Sequence, residues 1–317
     1  MPEEVNAVEW MSGVLLGAVG LSEDQFEQKG TIVSPSGYDY QVFGTKDGAS
    51  IIQTDIYRLY PVMLPTGQVG LMKIAVSAEA NETLQYEVNV LRDLQEKAAE
   101  VDRITAERGR NPYNYGAFLP VVIETMVTDD NGRLIMFLGF DPSINNYRQF
   151  EPVSRVLDGK RVDLKTNVWI LGKTLKVLDF AHRIVSVTNG YVDENNLLLE
   201  TAQHGVLVFD WSNAVQSPNT ADCLAEVADM AKVAWRMAGG TRESQPPFDR
   251  EIMNEEQYQE YVNFLRKLFE GKSSALEAHD LLYEMANRIW PKEKKTDEFG
   301  TVTKRPFHLW KTYEKEE

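Results

Sequence analysis

The chain has 317 residues, which is enough for two lobes that each bury a core, and its 43% hydrophobic and 26% charged residues are ordinary for a globular protein. The formal net charge of -15 argues against nucleic acid or an anionic membrane as a general partner, because both require a basic surface. Cys223 is the one cysteine of the sequence, so an internal disulfide is excluded. No apolar run is long enough to span a bilayer. Glu3 and Glu4 lie where a secretion signal carries basic residues, so we expect a cytoplasmic protein.

An amphipathic helix is predicted at residues 3–21, ahead of the main fold. Its apolar residues recur at helical spacing and include Val5, Val8, Met11, Val14, Leu15 and Ala18. We expect this helix to dock on the rest of the chain, with docking on a partner as the alternative.

The pattern then changes to short strands separated by turns that contain glycine. The predicted strands cover residues 40–43, 51–60 and 69–75. Gly44 and Gly48 lie in the first turn, where the missing Cβ would let backbone amides approach a phosphate. An ordinary hairpin explains the two glycines equally well.

Lys73 lies on the third strand, within the run Leu-Met-Lys-Ile-Ala. Residues 79–99 are predicted to form a helix with one apolar face, and Glu87 lies in it 14 positions after Lys73. Glu82 is the alternative acidic partner. Charged residues on a helix are mostly solvated, so the lysine-bearing strand just upstream is the reason to expect that Glu87 pairs with Lys73.

A second hairpin and a helical second half follow. The stretch 103–115 is polar and predicted as a loop, and Asp-Asp-Asn-Gly at 129–132 predicts the turn between strands at 118–127 and 133–140. Residues 139–142 would link this part to the second half. Its predicted helices cover residues 163–184, 221–240, 248–269 and 273–290.

Smaller signals occur within that second half. His182 is predicted to be a packed histidine at a helix end, since no other metal-type residue accompanies it at ligand spacing. Ser274 and Glu277 have the spacing of a capping box. Residues 292–317 form a charged tail.

The most informative stretch runs from Gly190 to Ser212. It predicts a loop, a strand, a tight turn and a second apolar strand. Asn196 comes just before the first strand and Asp210 just after the second, so an amide oxygen and a carboxylate meet at the mouth of one hairpin. Such a pair suits a magnesium ion that bridges phosphates.

These residues resemble the catalytic and metal-binding loops of protein kinases, which read H-R-D-x-x-x-x-N and D-F-G. Five positions before Asn196, where a kinase has its catalytic Asp, this chain has Tyr191. Asp210-Trp211-Ser212 stands in place of D-F-G, which is similar to a degenerate bacterial group of kinase-like proteins with D-W. The resemblance covers about residues 40–290.

The resemblance implies an α+β, bilobal protein kinase-like fold with a small antiparallel-sheet N-lobe and a mainly helical C-lobe. The implied boundaries are a helical extension at 1–37, the N-lobe at 38–141, the C-lobe at 142–291 and the tail at 292–317.

It also implies roles for individual residues. Lys73, Glu87, Gly44 and Gly48 would hold ATP, and the metal ligands for Mg²⁺ would be Asn196 and Asp210. Tyr191 is neutral near pH 7 and cannot act as the base, whereas Asp193 is the nearest substitute.

Three functions remain open at this stage. The first is a pseudokinase that binds ATP and magnesium weakly or not at all and regulates or scaffolds another protein. The second is an active Ser/Thr kinase or small-molecule phosphotransferase that uses Asp193. The third is a pure protein-interaction module with a closed cleft.

Overall fold

The computed structural model describes residues 26–46, 50, 52–140, 150–156, 159–200, 205–297, 300–304 and 312–314. The chain divides into two compact units, one drawn from Met1–Arg155 and Asn196–Ala214 and the other from Val156–Asn195 and Val215–Glu317. The predicted helix at 3–21, Gly48 and the predicted lobe boundary after residue 141 lie outside the described residues.

The described strands, in chain order, are β1 (Phe26–Val33), β2 (Asp39–Thr45), β3 (Ile52–Gln53), β4 (Tyr57–Met63), β5 (Val69–Ala75), β6 (Val121–Val127), β7 (Leu134–Gly139), β8 (Phe150–Pro152), β9 (Lys160–Val162), β10 (Val187–Thr188), β11 (Leu197–Glu200), β12 (Gly205–Val208), β13 (Val215–Gln216), β14 (Glu293–Asp297), β15 (Gly300–Lys304) and β16 (Thr312–Glu314). The helices are α1 (Asn81–Glu107), α2 (Leu164–Phe180), α3 (Thr220–Met237), α4 (Glu255–Phe269) and α5 (Ala275–Ile289), with single helical turns at Tyr115–Phe118, Val153–Val156 and Ala181–Val185.

The first unit contains an antiparallel sheet in the order β1-β2-β4-β5-β7-β6, with β3 paired to β4. Tyr40 of β2 and Phe137 of β7 are separated by two intervening strands, yet their rings stack with centroids 3.7 Å apart. Neighbouring strands lie about 4.8 Å apart, so a flat sheet would hold these rings at about 14 Å. The sheet is therefore strongly curved, and its concave face encloses an apolar cluster (Tyr40, Val42, Val62, Leu64, Met72, Ile74, Ile135 and Phe137).

The first strand corrects one prediction. The helical extension was predicted to run to residue 37, but the chain is already extended at Phe26 and pairs along β1 with β2. The turn that joins the two strands includes Gly37 at φ 78°, a left-handed conformation that favours glycine. This turn lets β2 return antiparallel to β1, so residues 26–33 form an edge strand of the sheet.

Helix α1 packs on the convex side of the sheet through its apolar stripe, which includes Leu84, Val88 and Leu91. Asn81 fixes its start, because its side chain donates to the carbonyl of Gly132 and accepts from the N–H of Leu134, both at 2.7 Å. These bonds tie the helix to the β6–β7 turn, whose predicted position is confirmed.

The end of α1 corrects a second prediction. The helix was expected to stop near residue 99 and to be followed by a loop from residue 103, but it continues to Glu107. Arg103 and Glu107 form an i,i+4 ion pair at 2.6 Å, and Thr105 is buried on the packed face. The helix therefore continues for about two turns beyond its predicted end, with Thr105 packed on one side and the Arg103–Glu107 pair on its surface.

A smaller sheet completes the first unit. Strands β11 and β12 form the predicted hairpin, with Leu197 opposite Val208, and β8 pairs with β11. The ladder continues one step beyond β12, because the N–H of Phe209 donates to the carbonyl of Asn196 at 2.8 Å. The hairpin thus delivers Asp210 directly after a paired, rigid strand.

The second unit is mainly helical. Helices α3, α4 and α5 each begin with a capping box, formed by Asn219, Asn254 and Ser274, so the predicted Ser274 cap is confirmed. Asp163 caps α2 by accepting from two backbone N–H groups. The charged tail contains a hairpin, β14–β15, and β16 pairs with β9 of the same unit.

The predicted α+β class is confirmed, with an antiparallel sheet in one unit and mainly helices in the other. Within the described ranges, no helix has the length and apolarity needed to cross a lipid bilayer.

Candidate functional site

Lys73 and Glu87 form a fully buried ion pair in the first unit. Lys73 lies at the centre of the sheet, opposite Leu59 of β4 and Met136 of β7. Its Nζ is 2.7 Å from Oε1 and 2.9 Å from Oε2 of Glu87 on α1, and neither side chain is exposed to solvent. The predicted pairing is confirmed, whereas the alternative partner Glu82 lies exposed on the helix surface.

Asp210 joins the same cluster from the end of the second hairpin. Its Oδ1 is 3.0 Å from Nζ of Lys73 and accepts from the N–H of Ser212 at 3.1 Å. Its Oδ2 accepts a 2.7 Å hydrogen bond from the hydroxyl of Tyr57, which lies at the start of β4. Both carboxylate oxygens of Asp210 are therefore engaged by groups of the protein.

The residues on either side of Asp210 complete the enclosure. The ring of Phe209 lies 4.9 Å from Nζ of Lys73. Trp211 is completely buried, its backbone N–H donates to Oε1 of Glu87 at 3.1 Å, and its indole N–H donates to the carbonyl of Val208. The cluster thus ties the hairpin, the sheet and α1 together.

The charges of the cluster stabilise one another. Burial alone would lower the pKa of Lys73, but the carboxylates of Glu87 and Asp210 outweigh it and raise that pKa. Burial would raise the pKa of Asp210, but the charge of Lys73 and hydrogen bonds from Tyr57 and Ser212 lower it to about 2. Lys73 is therefore cationic and Asp210 anionic near neutral pH.

Tyr57 covers the ammonium group of Lys73. The centroid of its ring lies 4.1 Å from Nζ, a cation–π contact, and only 4% of the residue is exposed. Burial is the main cause that raises the pKa of its phenol, and the nearby carboxylate of Asp210 adds to it, so the hydroxyl stays protonated and donates. Tyr57 is not among the predicted site residues, because its only signal in the sequence is an inward position on a strand that precedes the Lys73 strand.

Asn196 and Asp210, the predicted metal ligands, lie near each other at the open end of the β11–β12 hairpin. Asn196 stands opposite Phe209, one residue before Asp210, and its side chain is half-buried. Over the described part of the chain, no group of three His, Cys, Asp or Glu side chains is placed to hold a metal ion. Gly44 lies in β2, paired with Glu27 of β1, rather than in an open loop.

These residues do not fit a magnesium-bound nucleotide as they stand. A phosphate would need a donor from Lys73, but three carboxylate oxygens lie within hydrogen-bond distance of its three N–H donors. A metal ion would need oxygens of Asp210 that already accept from Lys73, Ser212 and Tyr57. These contacts tie the sheet, α1 and the hairpin together, and they occupy the donors of Lys73 and both carboxylate oxygens of Asp210, although the Asp210 side chain is 20% exposed.

The predicted catalytic residue, Asp193, belongs to the second unit. Asp193 accepts from the backbone N–H and the side-chain amide of Asn195, at 2.8 and 3.2 Å, which is an Asx-type turn. Tyr191, two residues earlier, is 57% exposed.

A buried contact between His182 and Glu226 fixes the start of that loop. Nε2 of His182 is 2.6 Å from Oε2 of Glu226 on α3, and both side chains are almost fully buried. The other oxygen, Oε1, accepts from the N–H of Gly190 at 2.9 Å. The expectation that His182 is a packed helix-end residue agrees with this position, but Glu226, 44 positions away, gave no signal in the sequence.

Comparisons with known proteins add no family. No family model and no curated protein matches the sequence. Three mutant forms of the PknI kinase domain of Mycobacterium tuberculosis are similar in structure, with 15%, 15% and 13% identity and TM-scores of 0.47, 0.47 and 0.48. The matches cover 78%, 78% and 81% of this chain and 95%, 95% and 97% of the PknI chains. The function of this chain is therefore inferred from the geometry of the Lys73 cluster.

Proposed function

We propose that this chain is a protein kinase-like pseudokinase that does not transfer phosphate and that regulates or scaffolds another protein in the cytoplasm. The observation that carries the proposal is the enclosure of Lys73, whose ammonium is 0% exposed and faces three carboxylate oxygens. In a kinase the corresponding Lys must reach the nucleotide phosphates. Here it holds Glu87 and Asp210 together.

The catalytic-loop sequence supports the same conclusion. Tyr191 stands where a kinase has the Asp that accepts the substrate proton, and a protonated phenol is a poor base near pH 7. Asp193 already accepts two hydrogen bonds from Asn195, which hold it in its turn. The position of the catalytic Asp is thus taken by Tyr191, and the nearest other carboxylate, Asp193, is bonded to Asn195.

A protein is the partner that fits the remaining chemistry. The net charge of -15 opposes binding to nucleic acid or to an anionic membrane. A nucleotide would have to displace the hydrogen bonds of Asp210 and Lys73, which are charge-assisted and therefore strong. We therefore favour a pseudokinase that does not bind a nucleotide over an active phosphotransferase.

Labelled ATP with Mg²⁺ tests the proposal. We expect no transfer of label by the wild type, by Lys73→Met or by Asp193→Asn, and no rise in the wild-type melting temperature on titration with Mg²⁺ and ATP. A ligand that binds only the native state must raise that temperature. Label transfer by the wild type that is lost in both variants would establish an active kinase instead.

A further inference from the structure

Tyr57 occupies the position that a ligand of this cluster would need. A phosphate oxygen bound to Lys73 would lie about 2.8 Å from Nζ, the usual length of a charge-assisted hydrogen bond. The face of the Tyr57 ring already packs on that ammonium, with its centroid at 4.1 Å. The hydroxyl of the same side chain donates a hydrogen bond to Oδ2 of Asp210, so Tyr57 contacts both the cation and a carboxylate.

The backbone around Tyr57 holds the ring in place. The hydroxyl of Thr54 accepts from the N–H groups of Ile56 and Tyr57, at 3.1 and 3.0 Å. The N–H of Thr54 in turn donates to the carbonyl of Tyr57 at 2.9 Å. This tight turn sets where β4 begins, and the pairing of Tyr57 with Ala75 on β5 then aims the side chain at Lys73, two residues earlier on that strand.

The residue types beneath the ring are those that a site for a metal-bound polyphosphate uses. Lys73 bonds here to Glu87 and Asp210, and Asn196 lies beside Asp210 in the hairpin register. Moving the Tyr57 side chain would remove its hydrogen bond to Oδ2 of Asp210, and a carboxylate oxygen is a ligand that suits a hard divalent cation.

We infer that Tyr57 is a built-in plug, and that its phenol closes a latent site for a divalent cation with a polyphosphate whose binding groups this chain still carries. The inference rests on the proposed function, since it names the residue that prevents nucleotide binding in a pseudokinase. It goes beyond that function because it assigns the closure to a single side chain.

Removing the plug in two steps tests this inference. Tyr57→Phe removes the hydroxyl but keeps the ring, whereas Tyr57→Ala removes both. The matched control is Tyr60→Phe, on the same strand, because Tyr60 packs against the apolar cluster on the opposite face of the sheet. The probe is Mn²⁺ with ATP, measured by calorimetry and by the rise in melting temperature.

We expect Tyr57→Ala to bind the probe more tightly than the wild type by about tenfold or more, with Tyr57→Phe intermediate and Tyr60→Phe unchanged. The inference is overturned if the folded Tyr57 variants bind no better than the wild type, or if Tyr60→Phe gains as much. Tyr57→Phe decides alone if Tyr57→Ala does not fold. A wild type that binds the probe would contradict the proposed function, yet a further gain on removing Tyr57 would still support the plug.

Discussion

The backbone N–H of Trp211 donates to Oε1 of Glu87 at 3.1 Å, and the same oxygen lies 2.7 Å from Nζ of Lys73. The carboxylate of Glu87 on α1 thus bonds both to Lys73 on β5 and to Trp211, and all three residues are fully buried. A buried charge is tolerated only when it is paired and hydrogen-bonded, so the three positions depend on one another. The cluster should behave as a structural unit whose members cannot be removed singly without loss of stability.

Replacing Lys73 with Met should destabilise the protein strongly. The substitution keeps much of the side-chain volume but leaves the buried carboxylate of Glu87 and the partly buried carboxylate of Asp210 without their cation. We expect the free energy of unfolding to fall by about 3–5 kcal/mol, the usual cost of breaking a buried ion pair from one side. Urea denaturation followed by circular dichroism measures it.

The control for Lys73→Met is Arg103→Met, which breaks a pair exposed on both sides. Exposed pairs contribute little, so this variant should keep the wild-type denaturation midpoint. The double variant Lys73→Met, Glu87→Met should recover part of the lost stability, because it removes one of the two stranded carboxylates. Equal midpoints for wild type and Lys73→Met would show that the cluster is not structural.

Trp211 should be the most sensitive large side chain of the hairpin. It is 0% exposed, and truncation to Ala leaves a cavity and strands the carbonyl of Val208. We expect Trp211→Ala to cost about 3–5 kcal/mol and Trp211→Phe distinctly less, since the smaller ring still fills most of the space. Tyr113→Ala, at a 46% exposed aromatic of the same unit, should change the midpoint far less. Similar losses for all three variants would contradict this assignment.

The sequence located the parts of this cluster that obey local periodicity. Lys73 and Glu87 fell on a strand and a helix whose apolar patterns are unambiguous, and the turn spacing of the second hairpin placed Asp210 after a strand. Their meeting could be expected only from the resemblance to kinases, because pairing across 137 positions leaves no periodic signal.

The missed residues share a different cause. The alternation of β4 shows that Tyr57 points inward, but not that its ring lands on an ammonium group. The partnership of His182 with Glu226 depends on how α3 packs beside the end of α2, which neither segment encodes by itself. The helix beyond residue 99 was mistaken for a loop because its surface is polar, and polar helical turns are recognised through side-chain pairs such as that of Arg103 and Glu107.

The stability contributed by Asp210 should vanish in acid. Its pKa falls from an ordinary value of 3.8 to about 2 in the folded protein, so the folded state prefers the ionised form. A lowered pKa stabilises the fold above pH 4, and the contribution is lost as the pH falls from about 4 to about 2. The shift corresponds to about 2 kcal/mol, and urea denaturation of wild type and Asp210→Asn across that range measures it.

The difference in stability between wild type and Asp210→Asn should therefore shrink as the pH falls through this window. Asp129→Asn, at an exposed acid in the β6–β7 turn, should follow the wild-type curve at every pH. A wild-type advantage over Asp210→Asn that is the same at pH 5 and pH 2.5 would show that the carboxylate is not held ionised by Lys73.

Glu226 should be required for the loop that begins at Gly190. Glu226→Ala leaves His182 and the N–H of Gly190 without their buried acceptor, and an unsatisfied buried polar group costs about 1–3 kcal/mol. Glu226→Gln keeps a carbonyl oxygen for one of these bonds, so it should lose less. We expect faster hydrogen exchange at the Gly190 amide in Glu226→Ala, measured by mass spectrometry, and wild-type exchange in Asp229→Ala, which breaks an exposed pair on the same helix. Unchanged exchange at Gly190 in Glu226→Ala would mean that the loop is held by other contacts, and Glu226 would then serve only to pair His182.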